Sequence, residues 1–150
     1  MKTSLDLQRF RVRSYELDPY SHLNNGVYVN WFEDARELFL RRQGRDWNYW
    51  PERMGLWFVV ARIDCEYLDA ALAAEELQMS TRLARIGNRS VRFRQVLLRP
   101  GTDRPIARAA VTMCFSREGR AVDIPTDFTD LFEVAAPGDV WAVDEGADRG

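Results

Sequence analysis

Residues 25–42 admit one reading. Val27, Tyr28, Trp31, Phe32, Ala35, Leu38 and Phe39 recur at spacings of three and four with polar residues between them, so the spacing predicts an amphipathic helix with a single buried face. Asn24 or Asn25 can cap its start by accepting from a first-turn amide. Arg41 and Arg42 suit the negative end of the helix dipole, and Gly44 offers a left-handed stop. Immediately ahead stands Asp18-Pro19-Tyr20-Ser21-His22-Leu23-Asn24-Asn25. A carboxylate, the chain's one histidine and two amides therefore precede a helix N-terminus, where unpaired N–H groups and partial positive charge can polarise a carbonyl and hold the oxyanion that forms from it.

Elsewhere the periodicity is that of strands. Leu5 to Tyr15 alternate loosely, Leu56 to Tyr67 is strand-rich, Leu77 to Leu83 and Val91 to Leu97 alternate apolar with polar, and Ile106 to Phe115 reads as a more buried strand. Turns fall at Gly87-Asn88, Pro100 to Asp103 and Ser116 to Gly119. The order is one strand, one long helix, then a meander of about four long strands, which predicts an α+β domain with the helix on one face of an antiparallel sheet. Arg45 to Gly55 has no clean period. Its Trp47, Tyr49 and Trp50 make it an aromatic loop, either a plug over the helix end or a wall of a substrate pocket. Thr126 to Glu133 is expected to form a short terminal helix with Thr126 as N-cap. One domain is expected over residues 1–135. Residues 136–150, rich in Pro, Gly, Asp and Glu, are expected to form a flexible acidic tail in which Trp141 docks.

A chain of 150 residues is long enough for one real core. A formal charge of −2 gives no bulk attraction to nucleic acid or an anionic membrane. No stretch has the length and apolarity of a signal peptide core or a membrane span, so a cytoplasmic location is expected. Cys65 and Cys114 lie in strand-like runs without a CxxC partner, and are expected as buried reduced thiols. With one histidine and two separated cysteines no zinc-site spacing can be drawn, and neither a metal nor a cofactor is expected.

Asp18 has two readings. Asp-Pro is a common turn start, yet a carboxylate beside a helix tip that binds a carbonyl can attack that carbonyl or take a proton from an attacking water. His22 is either a hydrogen-bonding strut or a participant, and the Asn24-Asn25 pair either only caps the helix or also shapes the site. Glu33 is expected to be solvated or paired with Arg36. Glu66 lies on a predicted strand and could enter a site from a facing subunit. Arg85, Arg89, Arg92 and Arg94 form a basic strand-turn-strand cluster, either a solvated sheet face or a match for the phosphates of coenzyme A or an acidic carrier-protein helix.

Asp18-Pro-Tyr-Ser-His-Leu-Asn-Asn-Gly-Val-Tyr28 followed by Trp31-Phe-Glu-Asp-Ala-Arg36 resembles the D-x-x-x-H-x-N-N-x-x-Y…E-x-x-R region of hotdog-fold acyl thioesterases, the group that includes 4-hydroxybenzoyl-CoA thioesterase-like enzymes and plant acyl carrier protein thioesterases. Asp64 to Tyr67, Arg85 to Phe93 and Gly119 to Pro125 look like later strand landmarks of that family. The resemblance implies a long central helix wrapped by an antiparallel sheet, and a homodimer or homotetramer with sites at the dimer interface. It implies Asp18 as the catalytic aspartate, the Asn25 N–H as oxyanion donor and His22 as the motif histidine; Asn24 and Glu66 stand beside them as further catalytic candidates on the residue readings above. Tyr20, Tyr28, Trp57, Arg85 and Arg89 are the substrate-binding candidates. The plant enzymes carry an asparagine two residues after the aspartate; this chain has Tyr20 there. The expected activity is hydrolysis of an acyl or aroyl thioester of coenzyme A or acyl carrier protein. The alternative is a non-catalytic hotdog protein that binds an acyl thioester.

Overall fold

The computed structural model describes residues 1–136, so the expected acidic tail with Trp141 lies, but for its first residue, outside the described residues. Strand β1 (Leu5–Arg11) leads through a 3-10 turn at Ser14–Glu16 to helix α1 (Asn25–Arg41). Then come α2 (Tyr49–Met54), β2 (Trp57–Tyr67), β3 (Glu76–Ile86), β4 (Ser90–Leu98), β5 (Pro105–Arg117), the short β6 (Arg120–Ala121) and α3 (Thr126–Thr129).

All strands pair antiparallel in the order β1-β3-β4-β5-β2, with β6 added to β5. The meander is thus confined to β3, β4 and β5. The chain leaves β2 at one edge of the sheet and re-enters at β3, three positions away, so residues 68–75 cross the sheet end instead of closing a hairpin. This crossover carries the chain past the N-terminus of α1.

Alternating residues Leu77, Met79 and Leu83 of β3, Val91, Phe93 and Leu97 of β4, and Val111, Met113 and Phe115 of β5 meet Phe32, Ala35, Phe39 and Leu40 of α1 in one core. Burying Phe32, Phe39 and Leu40 stabilises the fold by roughly 1.5–3 kcal/mol each. Phe39 packs edge-on to Phe93 at 5.3 Å and stacks on Phe132 at 5.4 Å. The sheet curls around α1, as the hotdog resemblance implies.

A polar row crosses the interface between α1 and the sheet. Arg36 donates to Gln95 Oε1 at 2.9 Å; Gln95 Nε2 donates to the Phe32 carbonyl at 2.8 Å and to Thr81 Oγ1 at 3.1 Å. Thr81 donates to Gln8, Gln8 to Asp6, and Asp6 is ion-paired with Arg42. Arg36 is only 3% exposed. Glu33 is exposed, the solvated one of its two expected readings, and among the described residues no ion pair joins it to Arg36, whose pKa burial lowers to about 10.

The Arg45 to Gly55 segment is not all loop. Pro51 lies in the first turn of α2, where a missing N–H is tolerated, and Gly55 at φ +63° ends the helix. Six residues are too few to display a helical period. Trp50 is fully buried against Phe58 and Phe115, at centroid distances of 5.6 and 5.1 Å, so this aromatic is the plug of the two readings. The terminal helix is a single turn, and its N-cap is Pro125, not Thr126. Both cysteines are half-buried, not buried. Cys65 sits on an edge strand, and Cys114 alternates with the core residues Met113 and Phe115, so it lies on the far face of the sheet. Edge strand β2 exposes Trp57, Val59, Val60, Ile63 and Tyr67.

Candidate active site

Asp18 opens a tight hairpin. The Ser21 N–H donates to the Asp18 carbonyl at 3.0 Å, the Asp18 N–H donates to the His22 carbonyl at 2.7 Å, and Leu17 pairs with Leu23. Pro19 is preset for the second turn position, and Ser21 takes the left-handed conformation, φ +62°, that returns the chain. The Asp18 side chain finishes the turn: Oδ1 accepts from the Tyr20 N–H at 2.8 Å and the His22 N–H at 3.0 Å. The turn-forming reading of Asp18 therefore holds, but it uses only one carboxylate oxygen. Oδ2 has no partner among the described residues.

Helix α1 starts two residues beyond the hairpin. Asn24, not Asn25, is the cap; its side chain accepts from the Gly26 N–H at 2.9 Å, and its carbonyl accepts from Val27 at the same distance. The Asn25 N–H has no partner among the described residues, as expected of a first-turn amide. The Asn25 carbonyl receives the Tyr67 hydroxyl at 3.0 Å, which ties the helix tip to the end of β2.

These groups open onto one cavity of about 380 Å³, lined by Asp18, His22 and Asn25, by Leu23, Tyr28 and Tyr67, and by residues 68–70 of the crossover. Tyr28 is buried; its hydroxyl accepts from the Ala71 N–H at 3.3 Å, and its ring meets Tyr67 edge-on at 5.1 Å. Burial pushes both phenols above their ordinary pKa, so both remain neutral hydroxyls. The crossover is fixed to the hairpin by the Leu23 N–H on the Ala71 carbonyl at 2.9 Å and by a bridge between His22 and Leu72.

Of the residues singled out in the sequence, the structure brings Asp18, His22, Asn25 and Tyr28 to this cavity, with Asn24 just behind as the cap. Others lie elsewhere on the chain. Tyr20 stands at the hairpin tip, 81% exposed, and Trp57 lies at the opposite end of β2 from Tyr67, 59% exposed. Glu66 is paired with Arg108 at 3.2 Å, and Arg89 with Asp123 at the same distance. Arg85 is exposed, whereas Arg94 is buried, so the basic cluster is not a uniformly solvated face. Tyr67 and residues 68–70 were missed, since strand ends and crossovers carry no period; an aromatic closing a strand was the one available signal. Among the described residues, no three His, Cys, Asp or Glu side chains cluster as a metal site requires, and no helix is long and apolar enough to cross a membrane.

The site combines a half-exposed carboxylate and an unpaired helix-tip amide around a space large enough for a small acyl group. Long-chain acyl-CoA thioesterase FadM of Escherichia coli (strain K12) is 29% identical over 104 residues, 69% of this chain and 77% of that protein. The chloroplastic acyl-acyl carrier protein thioesterase ATL3 of Arabidopsis thaliana is 23% identical over 123 residues, 81% of this chain and 64% of that protein. The structure of 4-hydroxybenzoyl CoA thioesterase from Pseudomonas sp. strain CBS-3 superposes with a TM-score of 0.77 at 19% identity, covering 85% of this chain and 98% of that one, so the fold is the hotdog fold. A family model for the thioesterase-like superfamily matches residues 12–132. Because that match runs from the residue after β1 to the residues that follow α3, taking in the hairpin, the helix tip and the crossover alike, the chain belongs to the thioesterase-like superfamily.

Proposed function

We propose that the protein hydrolyses acyl or aroyl thioesters of coenzyme A or acyl carrier protein. The observation that carries this reading is that Asp18 and Asn25, whose first-turn N–H has no partner among the described residues, line the same cavity. With the thioester carbonyl between them, Asp18 acts either as base or as nucleophile. As base, it takes a proton from water while the water oxygen bonds to the carbonyl carbon; the C=O electrons move onto oxygen, where the Asn25 N–H stabilises them. Collapse of that intermediate breaks the C–S bond, the thiolate leaves with the proton held by Asp18, and free acid and thiol result. As nucleophile, Asp18 expels the thiolate itself through a mixed anhydride that water then opens.

In this reading His22 orients the carboxylate or the thioester, Asn24 sets the helix tip, and Tyr28 forms the floor beside the acyl group. Tyr20, Trp57, Arg85, Arg89 and Glu66 act on substrate only if a second subunit brings them near. That requirement fits the proposed homodimer or homotetramer, for which the long edge strand β2, with Val59, Val60 and Ile63 exposed, supplies an unpaired apolar margin. The proposed place of action is the cytoplasm. The test is release of free thiol from a panel of acyl- and aroyl-thioesters, with Asp18→Ala beside the wild type. Turnover lost by orders of magnitude in a folded variant supports the assignment, and equal activity rejects it; tight binding with no thiol release by either protein indicates a binding protein instead.

A further inference from the structure

We infer that Arg99, which lines no part of the Asp18 cavity, is the positioning residue that sets its geometry. This inference rests on the thioesterase reading for its kinetic consequence, but not for its structural one. Arg99 follows directly on β4, and its guanidinium grips both ends of the crossover. Nε and Nη2 donate to the two Glu75 oxygens at 2.7 and 3.1 Å, Nη1 donates to Asp69 at 2.9 Å, and Nη2 also donates to the Ala70 carbonyl at 2.7 Å. A planar fork is required to satisfy partners in these directions together; an ammonium cannot do so. Glu75 is also held in place by the Leu72 N–H at 2.7 Å.

What the crossover carries explains the consequence. Residues 68–70 are one wall of the cavity, and Ala71 receives the Leu23 N–H while donating to the Tyr28 hydroxyl. The hairpin that aims Asp18 therefore leans on a segment outside the strands, tied by backbone bonds to Ile106 at one end and Val12 at the other, with Arg99 as the one side chain that joins both ends. Remove the guanidinium and Asp69, Ala70 and Glu75 lose their common anchor. Asp18 then loses its fixed distance to the helix tip, although no group touching substrate has changed.

The experiment uses the full chain with Arg99→Ala and Arg99→Lys. In hydrogen exchange, the amides of Leu23 and Ala71 are expected to lose protection in Arg99→Ala, while those of β4 and β5 keep theirs. In thioester hydrolysis kcat is expected to fall by about tenfold or more, with KM changed far less, because misplacement of a reacting group by about 1 Å is enough for such a loss. Arg99→Lys should recover only part of this, and guanidinium ion added at millimolar concentration to Arg99→Ala should recover kcat. Unchanged protection at Leu23 and Ala71, or protection lost evenly across the sheet, overturns the inference whether or not the protein proves to be a thioesterase. A wild type without thiol release would overturn the functional reading alone.

Discussion

Asp18→Asn separates the turn-forming contacts of this side chain from the catalytic role proposed for it. An amide oxygen in place of Oδ1 can still accept from the Tyr20 and His22 amides, which donate to Asp18 at 2.8 and 3.0 Å, so the hairpin should survive. What disappears is the negative charge, and with it any capacity to take a proton or to attack. General base catalysis by a positioned side chain is worth about 10²–10⁴-fold, so kcat should fall by that factor, about 2.7–5.5 kcal/mol in barrier height. Stability should move by less than about 0.5 kcal/mol. Asp18→Ala removes the acceptor too. Two backbone bonds at the low, solvent-exposed end of the usual range total about 1–2 kcal/mol, which for a domain of this size is a melting-temperature loss of about 2–8 °C. The assay is thiol release under saturating thioester, paired with calorimetry of all three proteins. If Asp18→Asn keeps kcat within about threefold of the wild type, well below the smallest loss a general base should cause, the carboxylate is a turn-former only, and the proposed chemistry fails.

Three further outcomes are expected. Tyr67→Phe removes the hydroxyl that holds the Asn25 carbonyl; kcat should drop by about threefold to tenfold, the worth of one hydrogen bond, with the melting temperature nearly unchanged, and full activity would show that the helix tip needs no tether. Gln95→Leu takes from buried Arg36 the one side-chain acceptor it has among the described residues and should cost about 1.5–3 kcal/mol in a urea titration; no loss would mean that the polar row adds nothing to the core. The third concerns pH. Hydrogen bonds from Arg99 hold the Asp69 and Glu75 carboxyls below their ordinary values of 3.8 and 4.5. Depressed carboxyl values mean that the unfolded chain binds protons first, so the stability they supply is full above pH 4.5 and is lost as pH falls through the lowered folded values. The melting-temperature gap between wild type and Arg99→Ala should therefore be constant from pH 7 to pH 5 and close below pH 4, and a gap that widens in acid would refute the pairing.

Hydrophobic period reports which side of an element is covered, and it located α1 and the five long strands because each is long enough to repeat. It is silent on short elements, so the six residues of α2 read as loop and the single turn of α3 reads as a longer helix. It is equally silent on which edge a strand joins. Leu56 to Tyr67 reads the same whether it pairs with its neighbour in sequence or, as found, with β5 across the sheet. That one difference of order sends residues 68–75 past the helix tip and so builds the second wall of the cavity. Half of the site was legible because hairpin, cap and helix start are contiguous, and local chemistry (Pro preset for a turn, Asn for a cap) fixes their relation. The other half, Tyr67, Asp69 and Ala70, arrives from 42 residues or more beyond Asn25, through backbone bonds such as Leu23 to Ala71 that any residue could make. Arg99 follows the same rule. In the sequence it is one of many arginines, and only the path of the chain sets Asp69 and Glu75 about it. The turn-forming contacts of Asp18 and the reactive role proposed for it are compatible, because a carboxylate has two oxygens and the hairpin binds only one of them.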